Sequence, residues 1–430
     1  MKFLLTGQSG FIGSRLRERL LRLGHDVPLS RVDFRHAHSE ASWRPLLDGV
    51  DVVINTAGIF TESRAGDFAA INHLAPCALF RAAASAGVRL IVQFSALGAD
   101  EQARSRFHLS KRAADECLRA LPVASFCLQP SLVFGAAGGS AQMMSTLASL
   151  PVVPLPGAGA QMIQPIHVDD LVDAVIGLLK LPPPHGNAAG ATAVDGPFAG
   201  RSSGSGATIA LVGPRAVTLR EYLQLLRAGQ NLPPARFIEM PPKLMTLAAR
   251  VGSLIPSLPL GPEALEMLER GNIAQVSARA LIGGPPRDPS RFIAPGDASN
   301  YRVQAALGWL LPILRLAIAL MWILTAIVSV WFHPVQDSYR MLSLTGVPAA
   351  LLPLALYGAA ALDLLLGVLC LFVRDRRVWQ AQILLVLGYT VIIAIRLPEF
   401  LTHPFGPILK NLPILAVLWL LAELEPRRGR

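Results

Sequence analysis

Three glycines near the start of the chain stand where a backbone could bind a phosphate. They lie in the segment T-G-Q-S-G-F-I-G, residues 6–13. Glycine permits a tight turn and lets the backbone approach a pyrophosphate, while the amino end of a following helix attracts negative charge. The pattern alone is weak evidence, but here it lies between a predicted strand and a predicted amphipathic helix. We therefore expect Gly7, Gly10, Phe11, Ile12 and Gly13 to bind the phosphates of a dinucleotide.

A second set of polar residues follows the next apolar run, where a dinucleotide-binding fold contacts the adenosine ribose. The chain offers Ser30, Arg31 and Asp33 there. A guanidinium at Arg31 would hold a 2′-phosphate by a forked contact, which favours NADP. The alternative is that Arg31 is a solvated surface residue and that Asp33 contacts the ribose of NAD.

The elements that would position these residues alternate regularly along the chain. Short apolar runs predict strands at 2–6, 26–30, 50–56, 90–95 and 124–128, and amphipathic stretches predict helices at 11–23, 68–86, 105–120 and 168–181. This alternation is typical of βαβ units, so we expect an α/β fold with a doubly wound parallel sheet of the Rossmann type. Pro, Gly, Ala and Ser dominate residues 182–206, which predicts a disordered loop before a strand at 208–212. Apolar residues at helical spacing predict a small helical lobe over residues 218–282.

Further motifs occur in the order in which one protein family carries them. They are D-V-V-I-N-T-A-G at 51–58, Asn72, S-A-L-G-A-D at 95–100, Q-P-S-L-V-F-G at 129–135 and I-H-V-D-D at 166–170. With the glycine turn, they resemble the extended and atypical short-chain dehydrogenase/reductases over residues 1–295. The S-A-L-G-A-D stretch resembles the branch related to the reductase-like accessory subunit of respiratory complex I. The resemblance implies a nicotinamide cofactor, with Asn55, Ala57 and Gly58 beside its adenine.

The resemblance also implies a catalytic serine, tyrosine and lysine, in which the lysine orients the ribose and lowers the tyrosine pKa for proton transfer. Ser95 and Lys111 occupy the serine and lysine positions, but Phe107 occupies the tyrosine position. A phenyl ring neither donates nor accepts a proton. His108 or Ser110 could supply the proton only after repacking, because each lies at a different helical angle from Phe107. The plainer expectation for His108 is a surface position.

The resemblance extends to the H-V-D-D turn at 167–170. It implies that Asp169 and Asp170 cap the following helix and that His167 packs near the cofactor. We expect structural roles for all three, since aspartate at a helix start accepts backbone N–H groups.

The C-terminal part of the chain has a composition suited to lipid. Hydrophobic residues form 52% of the sequence and charged residues 16%, and only six of the 29 acidic residues follow residue 301. Apolar segments at 309–331, 347–373, 378–395 and 405–422 predict a C-terminal four-helix transmembrane bundle. The fourth segment is the weakest because it contains Lys410. We therefore expect two domains, at 1–301 and 302–430.

Charge patterning indicates a lipid bilayer as the partner. The net charge is +10, but the basic residues are too dispersed to form a nucleic-acid groove. Arginines cluster after the second apolar segment and after the fourth, at 374, 376, 377, 427, 428 and 430. The positive-inside rule then predicts a multi-pass protein of the cell inner membrane, with the N-terminal domain and both termini in the cytoplasm. Four cysteines show no C-x-x-C spacing, so we expect no metal site and no disulfide framework.

The membrane segments resemble the DoxX-like family over residues 305–424. The motifs that carry this resemblance are W-I-L-T-A at 322–326, Ser329, H-P at 333–334 and H-P-F-G-P-I-L-K-N at 403–411. Asp363 lies inside the second segment, where an ionised side chain is costly and therefore a functional candidate. Arg396 and Lys410 are its candidate partners, and a packing role is the alternative.

Two functions from different classes follow. The first is a membrane-anchored NAD(P)H-dependent reductase, which passes electrons to a small-molecule acceptor such as a quinone or an apolar carbonyl compound. Its support is the union of a hydride-donor fold with lipid-facing helices. The second is a non-catalytic nucleotide-binding or redox-sensing module of a membrane assembly, which the loss of the phenol at Phe107 would tolerate.

Overall fold

The computed structural model describes residues 1–181, 206–241, 267–268, 270–274, 279–402 and 406–425. The chain packs as two compact units, Met1–Ala306 and Leu307–Arg430.

A five-stranded parallel sheet forms the centre of the first unit. Its strands lie in the order β1 (Phe3–Thr6), β2 (Val52–Asn55), β3 (Leu90–Phe94), β4 (Ser125–Pro130) and β9 (Gly206–Leu211). Helices α1 (Phe11–Arg22) and α5 (Val168–Leu178) cover one face, and α2 (Ala75–Ser85) and α3 (Arg106–Arg119) cover the other. The strands are apolar on both faces, as a sheet covered by helices on both sides requires. The predicted Rossmann-type architecture is confirmed.

Three short strand pairs and two helices stand at the carboxyl edge of this sheet. The pairs are β5 (Val133–Phe134) with β8 (Ile166–His167), β6 (Val152–Pro156) with β11 (Arg236–Met240), and β7 (Met162–Ile163) with β10 (Val217–Thr218). The helices α4 (Gly139–Ser149) and α6 (Leu219–Gly229) pack against these pairs, and a short helix covers Arg279–Ile282.

Two predicted elements differ in the structure. The strand expected at 26–30 is reduced to one bridge between Asp26 and Lys2, because Pro28 has no N–H to donate to the neighbouring strand. The lobe expected to be helical contains the strand β11, which pairs in parallel with β6. The predicted disordered loop at 182–205 and the helical spacing at 244–251 lie outside the described residues.

The second unit is built from apolar helices. Three are long and apolar enough to cross a membrane, and we name them the first span (Pro295–Phe332), the second span (Ala349–Phe372) and the third span (Arg376–Arg396). Shorter helices cover Val335–Leu344, Glu399–Thr402 and Asn411–Leu424. The predicted count of four spanning helices is not confirmed, because the fourth described segment is only 14 residues long.

Two polar clusters lie inside this apolar bundle. In one, the Trp322 indole donates to Gln382 at 2.8 Å, and the Gln382 amide contacts the Cys370 thiol at 3.4 Å. In the other, Arg315 forms an ion pair with Glu425, which also accepts a hydrogen bond from the Trp379 indole at 3.1 Å. Polar groups in a bundle interior are stabilised by such mutual contacts because lipid offers none.

Candidate functional site

The glycine turn has a backbone that other residues would not tolerate. Gly7 has a φ of +71°, and a Cβ there would lie 2.6 Å from Ala57 N. A Cβ on Gly13 would overlap Gly7 O and lie 2.7 Å from Thr56 Oγ1. The close approach of the turn to β2 therefore requires glycine at both positions, as the sequence predicts.

Helix α1 presents an open amino end beside this turn. Its N-cap, Gly10, makes no side-chain capping bond, and its first turn carries no acidic residue. The free backbone N–H groups and the helix dipole suit a phosphate. Residues 6–9 of the turn and residues 29–34 line a cleft of about 850 Å³, which we call the glycine-turn cleft. The residues present thus fit a dinucleotide.

The far wall of the glycine-turn cleft carries the residues expected at the adenosine ribose. The Gln8 amide donates to Ser30 O at 3.0 Å, which ties the turn to this wall. Arg31 and Asp33 are exposed, and both line the cleft. Arg17 of α1 lines the same cleft, and its Nε is buried without a hydrogen-bond partner among the described residues. Sequence reasoning missed Arg17, although its position one turn after Gly13 was visible.

A row of buried polar side chains supports the cleft from below. Thr6 Oγ1 donates to Asn55 Oδ1 at 2.6 Å, and the Asn55 amide donates to Gln93 Oε1 at 2.7 Å. The three residues are in register on β1, β2 and β3. Asn55 also accepts from Ala57 N at 3.2 Å. The structure thus places Asn55 beneath the cleft, where it fixes the backbone of Ala57, which lines it.

Lys111 of α3 reaches the carboxyl ends of two neighbouring strands. Its Nζ donates to Phe94 O at 3.1 Å and to Ala57 O at 3.4 Å. A Cβ on Gly58 would overlap this Nζ, so the close approach requires the glycine. Burial lowers the pKa of Lys111 to about 8, against the opposing effect of Asp115. Among the described residues, no carboxylate lies within 4.0 Å of the ammonium.

Ser95 is engaged by a residue that sequence reasoning missed. Its Oγ donates to Asp115 Oδ2 at 2.5 Å, and both residues are buried. Burial raises the pKa of Asp115 to about 7, although Ser95, Arg119 and Lys111 all act to lower it. Asp115 follows Lys111 by four residues on α3, a spacing that puts both on one helix face. That spacing was the available signal.

The environment of Phe107 is apolar and closed. The ring packs edge-on against Phe60 and Phe68, with centroids 5.1 and 6.2 Å away. Phe107 and Phe68 are buried together with Ala96. The hydroxyl of a tyrosine is thus replaced by an apolar contact rather than by another polar group.

The two neighbours that could supply a proton are both engaged. His108 is buried, which corrects the expected surface position, because Ser105 and Leu97 bind its ring. Its Nδ1 lies 3.0 Å from Ser105 Oγ and its Nε2 lies 3.1 Å from Leu97 O, and burial lowers its pKa. Ser110 donates to Phe107 O at 2.7 Å and accepts from the Asn72 amide at 3.1 Å.

The histidine of the H-V-D-D turn is itself the helix cap. His167 Nδ1 accepts from Asp169 N at 3.2 Å, whereas Asp169 and Asp170 lie in the first turn of α5. The two carboxylates bind Arg287 instead. The Arg287 guanidinium donates to Asp169 at 2.9 Å, and the Arg287 backbone N–H donates to Asp170 at 2.7 Å. The expectation that the acids cap the helix is therefore wrong. Burial lowers the pKa of His167 to about 4, so the ring stays neutral and able to accept.

The remaining candidate lies in the second unit. Asp363 is buried, but neither Arg396 nor Lys410 forms an ion pair with it within 4.0 Å. The expected partners are therefore wrong. In the part of the chain that the structure describes, no group of three or more His, Cys, Asp or Glu side chains could share a metal ion.

Comparison with protein families gives two matches. Residues 3–188 match the NAD dependent epimerase/dehydratase family, and residues 319–419 match the DoxX-like family. Among solved structures, UDP-glucuronic acid 4-epimerase from Bacillus cereus, in complex with UDP-glucuronic acid and NAD, has a TM-score of 0.50 and 16% identity. The alignment covers 71% of this chain and 99% of the epimerase. At this identity the likeness shows the fold alone.

Two curated relatives share part of the sequence. One is "NADH dehydrogenase [ubiquinone] 1 alpha subcomplex subunit 9, mitochondrial" of Arabidopsis thaliana, 28% identical over 197 residues, which are 40% of this chain and 49% of the relative. The other is "Ceramide reductase" of Caulobacter vibrioides, 27% identical over 197 residues, 41% of this chain and 61% of the relative. The chain thus spans about half to three fifths of the length of these relatives.

These findings confirm both predicted resemblances. They also support a nicotinamide cofactor and, with the apolar helices of the second unit, association with a membrane. Residues 3–188 are therefore similar to the NAD dependent epimerase/dehydratase family, and residues 319–419 are similar to the DoxX-like family.

Proposed function

We propose that this protein is a membrane-anchored NAD(P)H-dependent reductase whose acceptor is lipid-soluble, either a quinone or an apolar carbonyl compound. Its soluble domain comprises residues 1–301 and its membrane domain residues 302–430. The protein lies in the cell inner membrane, with the soluble domain and both termini in the cytoplasm. The arginines at 374, 376 and 377 support this orientation.

The observation that carries the proposal is the state of Lys111. Its ammonium is buried, and it has no carboxylate within 4.0 Å among the described residues. Two backbone carbonyls use two of its three N–H donors. A buried cation without a counter-ion is costly, so such groups mark functional sites. The third donor is available to a hydroxyl or to an oxygen that gains negative charge.

The missing phenol decides which acceptors suit this arrangement. When bound, a nicotinamide cofactor supplies a hydride. Lys111 can stabilise the negative oxygen that results, but Phe107 cannot protonate it. A simple ketone becomes an alkoxide, which is a strong base and needs general-acid help worth about 10²- to 10⁴-fold. A quinone becomes the anion of a hydroquinone, which is a far weaker base. This anion can take its proton from water after the hydride transfer.

The glycine-turn cleft favours NADP over NAD as the cofactor. Arg31 and Arg17 both line it, and so does Ser30, the neighbour of Arg31 in the chain. Two guanidinium groups and a hydroxyl are suitable partners for a 2′-phosphate. Asp33 lines the same cleft and keeps NAD as the alternative.

A second candidate function is a non-catalytic nucleotide-binding module of a membrane assembly. The observation that favours it is the closure around Phe107, since His108 and Ser110 use their polar atoms internally. The relative named as a subunit of NADH dehydrogenase supports this candidate, and the relative named as a reductase supports the first.

Steady-state oxidation of NADPH by the purified full chain in detergent distinguishes the reductase from the non-catalytic module. We expect turnover with a short-chain benzoquinone and little with a simple aliphatic ketone. Lys111→Met should reduce quinone turnover about 10²- to 10³-fold, as loss of a donor to a developing oxyanion does. Lys180→Met, at an exposed lysine, is the matched control and should leave turnover unchanged. NADPH binding without turnover on any acceptor would favour the non-catalytic module.

A further inference from the structure

Asp363 lies on the interior face of the second span. The buried residues of this helix recur at three- and four-residue spacing and are Leu356, Ala360, Asp363, Leu366, Gly367 and Cys370. A Cβ on Gly367 would lie 2.6 Å from Ile323 Cγ1 and 3.0 Å from Ala319 O, so this face packs closely against the first span. Asp363 itself is 7% exposed. Its carboxyl group therefore points into the bundle and not into lipid.

One oxygen of this carboxyl is left without a hydrogen bond in the described part of the chain. Its Oδ1 is buried and has no hydrogen-bond partner. No basic side chain lies within 4.0 Å of it in the described residues, Arg396 and Lys410 included. A buried acceptor without a partner is rare in folded proteins, and each case calls for an explanation.

Glu425 provides a comparison within the same bundle. It is also buried, but Arg315 forms an ion pair with it and the Trp379 indole donates to it at 3.1 Å. Glu425 can therefore remain ionised. Among the described residues, Asp363 has no ion partner within 4.0 Å, and its Oδ1 accepts no hydrogen bond.

The helices packed against the second span offer no compensating charge. Their titratable or charged side chains are Asp297, Tyr301, Arg302 and Arg315 on the first span, Asp337, Tyr339 and Arg340 on the helix Val335–Leu344, and Arg376, Arg377, Tyr389 and Arg396 on the third span. Tyr389 carries a phenol. A phenol is neutral at physiological pH and cannot balance a carboxylate. An ionised Asp363 would thus stand alone within the apolar bundle, which is strongly unfavourable.

We propose that Asp363 is a proton-binding site inside the membrane bundle, occupied by a proton at neutral pH. Binding forms one O–H bond on the carboxyl group, and release leaves the carboxylate, with no change in oxidation state. The neutral acid can donate a hydrogen bond or a proton to an oxygen of a lipid-soluble molecule that enters the bundle. This inference does not depend on the proposed reductase activity.

Dicyclohexylcarbodiimide, an apolar reagent that modifies protonated carboxyl groups, tests the proposal on the full chain in detergent. The acid transfers its proton to one reagent nitrogen, and a carboxyl oxygen bonds to the central carbon to give an O-acylisourea. The acyl group then shifts from this oxygen to the other nitrogen, which gives a stable N-acylurea. Peptide mass spectrometry should locate one adduct, at Asp363, with a rate that falls as pH is raised. Glu425 is the internal control and should remain unmodified.

Two variants and a second measurement make the test decisive. Asp363→Asn should abolish the adduct, and Asp363→Glu should retain it. The infrared difference spectrum between the unmodified protein and Asp363→Asn should show the carbonyl band of one protonated carboxyl, because the contribution of Asp115 is common to both and cancels. Modification of Glu425 in place of Asp363 would overturn the proposal. So would a missing adduct together with an infrared band that Asp363→Asn leaves unchanged.

Discussion

The buried pair of Ser95 and Asp115 leads to a prediction about stability and pH. Burial raises the pKa of the Asp115 carboxyl from 3.8 to about 7, so the native state holds this proton more tightly than the unfolded chain does. Between these pH values the native state binds more protons, and stability must fall as pH rises. This loss of stability is absent below about pH 4 and complete above about pH 7.

The size of the effect follows from the same values. At about 1.4 kcal/mol for each pKa unit, the change from 3.8 to about 7 corresponds to about 4 kcal/mol of lost stability. Asp115→Asn removes the titration but keeps an oxygen that can accept from Ser95. We therefore expect the variant to gain stability over the natural protein as pH rises from 4 to 7, by up to about 4 kcal/mol.

Hydrogen exchange of the amides in β3 and α3 measures this stability locally, because Ser95 directly follows β3 and Asp115 lies in α3. The difference between variant and natural protein should grow through the window from pH 4 to pH 7. Lys111, whose pKa is lowered to about 8, titrates above the window and does not disturb it. A difference that stays constant from pH 4 to pH 7 would refute the assigned burial cost.

Three further predictions concern the cofactor, the missing phenol and the membrane. Arg31→Ala should weaken NADPH binding by about 1 to 3 kcal/mol and leave NADH binding nearly unchanged, as measured by calorimetric titration. Equal affinities of the natural protein for both cofactors would indicate that Asp33, and not Arg31, sets the cofactor preference. Phe107→Tyr should leave NADPH affinity unchanged and raise ketone reduction above background; rapid ketone reduction by the natural protein would contradict the role given to the missing phenol. A reporter fused after Asp337 should lie outside the membrane and one fused after Asp375 should lie inside. If both lie on the same side, the second span is refuted.

The sheet and its glycine turn could be predicted because their signals are local. Short apolar runs, helices of suitable length and three glycines at the first turn each reflect the backbone's own requirements. The prediction of a strand at 26–30 was wrong because Pro28 has no N–H group to donate to a neighbouring strand. A hydropathy pattern does not show this loss. The prediction of four spans is not confirmed because the fourth described segment is short. The helix Asn411–Leu424 rises about 21 Å at 1.5 Å per residue, against a hydrocarbon core of about 30 Å.

The polar contacts of the site were less predictable because they depend on which side chains meet across elements. Lys111 was recognised by its motif, but Asp115 was not, since one aspartate in an amphipathic helix ordinarily faces water. His108 was expected at the surface for the same reason. Its burial follows from Leu97 and Ser105, which approach it from a loop and from the preceding turn. Nothing in the spacing of these residues predicts that contact.

Four buried or nearly buried carboxylates show how far environment, and not residue type, sets the chemistry of this chain. Asp67 is held by the Arg35 guanidinium at 2.8 and 3.0 Å, and the pKa of its carboxyl falls well below the ordinary range. Asp115 shares a hydrogen bond with Ser95, and burial raises its pKa to about 7. Glu425 has an ion partner inside the bundle, and Asp363 has none among the described residues. Each lies in a predicted helix or beside one, so the sequence alone does not separate them. The distance to a cation distinguishes these four carboxylates, because a buried carboxylate stays ionised only beside an opposite charge.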